Sequence, residues 1–292
     1  YEEAEISKPI THGPIGSGLP NNIRITTDEV ANIRQITQDV YGFDPLGYTG
    51  SNVSMQEFTT VRLDYDLNDA HRLTVNYKEV DSSKLNGANR SSSTMTFSSA
   101  EYQKGEVTET TGMLLVSNWS DDFITEFSYS TKEQLTSQQS PVGQGLPSFT
   151  INDCGAQGIR CALGPDVFRS ANQLATETTF TKLKGTYYMG NHKFTFGYEN
   201  KLWDIYNVFI EAQDGAYEFE GLANYQAQIA SSFEYSNSRD LTEQGGAAVF
   251  EYYLDSFYIQ DEIDISEKLN VLVGIRYDEF DSDDSPAVNQ GF

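Results

Sequence analysis

The stretch VRLDYDLNDAHRLTVNYK (61–78) decides the fold. With the residues just before it, the odd positions read Glu57, Thr59, Val61, Leu63, Tyr65 and Leu67, and Thr60, Arg62, Asp64 and Asp66 fall between them. Successive side chains of a strand point to opposite faces, so one face is greasy and the other charged. After Asn68, Asp69, Ala70 and His71 the alternation resumes, with Leu73, Val75 and Tyr77 set against Arg72, Thr74, Asn76 and Lys78. Two such runs around a short polar turn predict a tight β-hairpin.

The same pattern recurs three times. Residues 101–118 turn through Trp119, Ser120 and Asp121 into 122–132, where Phe123, Phe127 and Tyr129 oppose Ile124, Glu126 and Ser128. Residues 173–189, carrying Leu183 and Tyr187, turn at Gly190, Asn191 and His192 into Phe194, Phe196 and Tyr198. Residues 249–265, with Phe257, Ile259 and Ile263, turn at Ser266, Glu267 and Lys268 into Leu269, Val271, Val273, Ile275 and Tyr277. The sum is about eight strands in four hairpins, several of them about 17 residues long.

Connections alternate in length. Short turns close each hairpin, whereas the links 81–100, 133–171 and 209–248 are long and rich in Ser, Gly, Asn, Gln and Asp. Soluble domains rarely carry several structureless links of that size, but outer-membrane barrels combine short periplasmic turns with long extracellular loops. A soluble β-sandwich would alternate in the same way, yet would not require aromatics on the outward face near the strand ends, as Tyr65, Tyr77, Tyr129, Tyr198 and Tyr277 suggest. The fold class expected is all-β: an antiparallel transmembrane β-barrel segment with long extracellular loops. Strands of about 17 residues exceed the 9–11 that cross a bilayer, so the hairpins should stand above the membrane on the loop side.

Composition agrees. The 292 residues carry 19 Lys and Arg against 43 Asp and Glu, a formal charge of −24, which excludes the clustered cations of a nucleic-acid partner. No apolar run reaches the length of a membrane helix, and a mean hydropathy of −0.49 suits barrel strands that alternate polar with apolar residues. One segment breaks the strand pattern. TTDEVANIRQITQDVY (26–41) spaces Val30, Ile33, Ile36 and Val40 at helical intervals, and Thr26 with Glu29 makes a capping box. A short loop helix over 27–41 is expected, ended by Gly42, Asp44, Pro45 and Gly47. Residues 1–56 then form an extracellular loop and early barrel region, and 57–292 the barrel strands with their loops.

The string DSFYIQDEIDISEKLNVLVGIRYDEF (255–280) carries a family likeness. Tyr258, Ile259, Gln260 and Asp261, followed across the turn by Gly274, Ile275, Arg276, Tyr277 and Asp278, resemble the signature barrel hairpin of TonB-dependent outer-membrane receptors. VRLDYDLNDAHRLTVNYK and GNHKFTFGYENKLWDIYNVF look like further hairpins of that family, and VYGFDPLGY (40–48) is similar to a loop of its Oar-like branch. The likeness covers most of residues 30–277. It implies a barrel of about 22 strands, of which about eight are here, a plug domain that this chain does not contain, TonB contact through a missing N-terminal region, and import or passage of a bulky solute. The alternative from another class is a complete small outer-membrane barrel acting as an adhesin or structural protein.

Site residues follow from the same reading. Arg62, Asp64, Asn76, Lys78, Glu126, Gln260, Glu262 and Arg276 share the face opposite the greasy one and are expected to line the lumen. Cys154 and Cys161, separated by GAQGIR, read as a disulfide stapling a loop, because two Cys alone lack the remaining ligands of a metal site. Tyr217, Phe219, Tyr225, Phe233 and Tyr235 lie among Gln, Asn and Ser, a composition suited to contacting a ligand or to forming the loop's own small core. Of His12, His71 and His192, the last two sit in short turns and read as turn residues, and no base beside a nucleophile is legible, so no catalysis is expected. Acidic groups at Asp278, Glu279, Asp281, Asp283 and Asp284, at Asp121 and Asp122, and at Glu218 and Glu220 read as solvated carboxylates. A loop Ca²⁺ site, or contact with lipopolysaccharide through divalent ions, is the other reading of those carboxylates. No other cofactor is implied, and the expected setting is the Gram-negative outer membrane, with its lipid and lipopolysaccharide as partners.

Overall fold

The computed structural model describes residues 1–48, 51–87 and 90–285. In chain order its elements are β1 (Glu2–Pro9), β2 (His12–Ile15), β3 (Asn21–Thr26), α1 (Thr27–Tyr41), β4 (Ser51–Asn68), β5 (His71–Asn86), β6 (Thr94–Thr96), β7 (Tyr102–Asn118), β8 (Phe123–Gln139), β9 (Ser148–Asn152), β10 (Arg160–Leu163), β11 (Ala171–Met189), β12 (His192–Ile210), β13 (Ala216–Glu220), α2 (Leu222–Gln226), β14 (Ser232–Glu234), α3 (Glu243–Gly246), β15 (Ala247–Ser266) and β16 (Leu269–Asp281).

Nine of these form one antiparallel meander in the order β1-β4-β5-β7-β8-β11-β12-β15-β16. The first and last strands are not paired with each other, so the sheet is an open, partial barrel. The four hairpins fall where the alternation puts them, with ladders that run to the turn: Asn68 faces His71 and Met189 faces His192. Their turns are built by local chemistry. The Asn68 carboxamide oxygen accepts from the N–H groups of Ala70 and His71, at 2.9 and 3.0 Å, and Gly190 takes φ 64°, a backbone that only Gly adopts freely. All four tight turns lie at one end of the sheet and all long links at the other.

The structure departs from the sequence reading in two places. β1 is a ninth strand, paired from Glu2 opposite Phe58 to Pro9 opposite Ser51, so β4 begins six residues before the alternation becomes clear. Its sequence EEAEISKP is too polar to show a greasy face. The long links also carry structure of their own. β14, β13, β9, β10 and β6 make a second, five-stranded sheet from three different links, two of whose pairings are parallel.

That loop sheet holds the molecule's principal core. Ile23, Ile25, Val30, Ile33, Ile36, Met95, Phe97, Phe149, Ile151, Ile159, Leu163, Phe219 and Tyr225 pack together with both cysteines. α1 closes one side. Its Thr26 side chain accepts from the Glu29 N–H at 3.2 Å while the Glu29 carboxylate takes the Thr26 N–H at 2.7 Å, and Gly42 ends it in a left-handed cap. The apolar stripe Val30, Ile33 and Ile36 then faces the core. The barrel strands enclose little by comparison, because their apolar face is exposed.

Candidate functional site

Cross-strand register places Arg62, Asp64, Asn76, Lys78, Glu126, Gln260, Glu262 and Arg276 on one polar face, in two groups rather than one. On β4 and β5, Asp64 accepts from Arg62 at 2.9 Å and from the Thr74 hydroxyl at 2.6 Å, with Arg72 at 3.7 Å. The second group spans five strands, β8 to β16. Lys184 meets Glu126 at 2.8 Å, and Glu199 is shared by Lys182 at 3.0 Å and Arg276 at 3.2 Å. Arg276 also donates to Asp278 at 2.8 Å and lies 5.8 Å from the Tyr258 ring centre. A Cβ on Gly197 would run into the Tyr258 ring, so the glycine leaves the space that this ring covers. Beside them is a hollow of about 430 Å³ lined by Lys182, Glu199, Tyr258, Gln260, Gly274 and Arg276. Sequence reasoning missed Lys182, Lys184 and Glu199. Their signal was present, since Glu199 occupies the polar phase of a strand whose apolar phase is Phe194, Phe196 and Tyr198.

In the loop layer, all five candidate aromatics join one chain of ring contacts, ending where Tyr235 stacks on Phe233 at 6.4 Å. The Tyr41 ring lies 4.6 Å from Tyr225 and 4.7 Å from Phe149, and Phe219 meets Tyr225 edge-on at 5.2 Å. The Tyr225 hydroxyl bonds Thr37 at 2.9 Å, and the Tyr41 hydroxyl donates to the Tyr225 carbonyl at 2.6 Å. Burial pushes the Tyr41 phenol up to about 12 and that of Tyr225 further in the same direction. Phe219 and Tyr225 are therefore corrected as ligand contacts: both are closed off in the core, at 2% and 0% exposure. Tyr217 bridges, stacked on Phe149 at 5.8 Å and against Phe233 at 4.6 Å. Phe233 and Tyr235, 56% and 50% exposed, are the aromatics of this loop that solvent or a ligand can reach.

Further ties hold the layer together. Cys154 and Cys161 form a disulfide. Arg90 and Glu101 pair at 3.1 Å with both side chains buried, and burial lowers the guanidinium pKa. Among the expected acidic groups, Glu218 and Glu220 share the Asn152 carboxamide, at 2.9 Å each. Among the described residues no three carboxylate, imidazole or thiol side chains converge enough to hold a metal ion. His71 sits edge-on to Trp119 at 5.0 Å, and His192 bonds Asp261 at 2.8 Å, both at hairpin turns.

The model of the outer membrane β-barrel domain family matches residues 9–287. The chain belongs to this family. No curated protein matches it. Among solved structures it is similar to BauA, the ferric preacinetobactin receptor from Acinetobacter baumannii, at 12% identity and a TM-score of 0.41, over 82% of this chain and 35% of that one. The chain thus spans about a third of the length of that receptor.

Membership assigns the two faces of the barrel sheet. A barrel in the outer membrane turns its apolar face to lipid, and the exposed large side chains here, Val61, Leu63, Tyr65, Leu183, Phe257, Ile259, Val273, Ile275 and Tyr277, all fall in that phase. Tyr198 and Phe257, 4.9 Å apart, belong to the same outward belt.

Proposed function

We propose that this chain is part of a TonB-dependent outer-membrane transporter that binds a bulky solute and imports it, or lets it pass, using energy from the inner membrane. The observation that carries the reading is the β15–β16 hairpin. Tyr258 stands opposite Arg276 and Gln260 opposite Gly274, in the order of the receptor signature, at the edge of a sheet left open after nine strands. An open edge weighs against a small closed barrel acting as an adhesin, because an unpaired strand cannot stand in lipid.

In this reading the barrel has about 22 strands, and the long links face the outside of the cell. Arg62, Asp64, Lys78, Glu126, Gln260 and Arg276 line the lumen, where paired charges offer a polar wall to a plug domain. Solute meets the exposed Phe233 and Tyr235 with the half-buried Tyr217. TonB acts through an N-terminal region outside this chain, lipid and lipopolysaccharide surround the belt, and the segment catalyses no reaction. The Oar-like character rests on the loop 40–48.

Two measurements on the native protein test the proposal. It should be captured by the periplasmic domain of TonB. Cells lacking it should fail on at least one of a panel of iron chelates, cobalamin, oligosaccharides and peptides supplied as sole source, a defect that deletion of TonB reproduces. Absence of both capture and growth defect would sink the transporter reading.

A further inference from the structure

The loop sheet ends in two edge strands that differ. β6 is closed off, with Met95 and Thr96 buried, whereas every residue of β14 is exposed. Hydrogen bonds show which way the main chain of β14 points. Ser148 donates to the Gly215 carbonyl and Gly221 to the Asn152 carbonyl, each at 2.9 Å, so the odd residues of β13, Tyr217 and Phe219, turn their main chain toward β9. The alternate residue Glu218 turns the other way, and its carbonyl accepts from Ser231 at 2.8 Å. Phe233 stands opposite Tyr217. The two are thus a non-hydrogen-bonded pair, the kind whose side chains approach closely, and their rings lie 4.6 Å apart. The N–H and C=O of Phe233 therefore point out of the sheet, on a side where no strand among the described residues pairs with β14.

Beside this open main chain the ring ladder runs out of the core into solvent. Phe149, Tyr217 and Phe233 follow one another on one face of β9, β13 and β14, and Tyr235 lies nearly parallel to Phe233, at 10°. Tyr41 and Phe43 lie against Phe149, while the last two rings stay exposed. Gly215, at φ 90°, makes room for the Phe233 ring, since a Cβ there would lie 3.1 Å from it. An unpaired strand edge next to exposed rings suits an extended peptide: the main chain supplies hydrogen bonds, and every second side chain of the peptide lands on the rings. A sugar would use the rings alone and leave the N–H and C=O unmatched. Charge then selects among peptides. In the link 209–248 Arg239 is the one cation among seven carboxylates, and Glu234 is on β14 itself. Lys and Arg side chains are drawn to such a surface and acidic ones repelled.

We propose that the solute is an extended basic peptide, bound as an added strand on the outer edge of β14 with its apolar side chains on Phe233 and Tyr235. The inference rests on the reading that this loop meets the solute, and it gives that solute a chemical class.

The test lays the purified native protein over an array of random heptapeptides and an array of oligosaccharides. Bound peptides should be enriched in Lys and Arg, with apolar residues recurring at every second position. For the tightest heptapeptide, methylating every backbone nitrogen should weaken binding by about tenfold or more, and so should F233S/Y235S in a variant that keeps the heat-modifiable mobility of the barrel. Y235S alone, which removes only the outermost ring, should show part of that loss. Enrichment of acidic peptides, unchanged binding of the methylated peptide or by the double variant, binding to oligosaccharides alone, or no peptide bound at all would each overturn the proposal. The outcome is separable from the transporter reading. Peptide binding by a protein that TonB does not capture keeps the peptide site and removes the transporter, whereas TonB capture without peptide binding does the reverse.

Discussion

Replacing Phe219 by Ala should loosen the loop layer and leave the barrel sheet intact. Phe219 is 2% exposed and touches the rings of Tyr41, Phe149, Tyr217 and Tyr225 at centroid distances between 5.2 and 6.5 Å. Removing a fully buried Phe costs about 3–5 kcal/mol, the loss of transfer energy plus the cavity left behind. The layer is thin, with the helices α1 and α2 packed on it, so partial collapse of α1 onto the gap places the cost nearer ~3 kcal/mol. At about 1.4 kcal/mol per factor of ten, local opening should become roughly a hundred times more frequent. Amide hydrogen exchange on the native protein reads this directly: α1, β9 and β13 should lose protection by about two orders of magnitude, while β11 and β12 keep theirs. The separation of loop core from barrel wall is refuted if α1 exchanges as before, or if β11 and β12 lose protection equally.

Three further outcomes follow. Leu63→Arg puts a charge on the apolar face in mid-belt and should cost about 2–4 kcal/mol of folding stability in lipid, whereas Asn76→Arg on the polar face should be tolerated; heat-modifiable gel mobility after refolding into vesicles separates the two. Reducing the Cys154–Cys161 bond, which closes a loop with a sequence separation of 7, should remove about 2–3 kcal/mol from that loop and expose residues 153–161 to limited proteolysis, with the barrel uncut. Asp44 is held below the usual carboxylate range chiefly by the hydrogen bond from Arg34, at 2.7 Å. A lowered folded-state pKa contributes stability above the unfolded value, near 3.9, that is lost as pH falls through the folded one. The pair is exposed, so α1 should lose under about 1 kcal/mol of local stability on going from pH 5 to pH 2, and Asp44→Asn should abolish that dependence as measured by helix exchange.

The hairpins were legible because each barrel strand alternates over many residues, and a register error would move a whole greasy face into the lumen. Leu63 and Tyr65 opposite Val75 and Leu73 leave one solution. β1 was not legible: Ala4 and Ile6, its apolar residues, fall in the same phase as Glu2 and give no contrast. The loop sheet was hidden for a different reason. β6 with β10 and β9 with β13 are short strands paired in parallel across links distant in sequence, so no local period betrays them and no turn announces them. For the same reason Phe219 and Tyr225 could not be told from Phe233 and Tyr235 by composition, since what separates them is the helix α1 lying over one pair and not the other.

The central claim is that these nine strands are one arc of a wider barrel in the outer membrane. The intact mass of the native polypeptide, detected in fractionated envelopes with an antibody to this segment, tests it most directly. The account predicts an outer-membrane band about three times the 32.7 kDa of this chain, as a barrel of about 22 strands with a plug requires. A band at 32.7 kDa would contradict it, since β1 and β16 would then have to close on each other around a lumen too narrow for a plug.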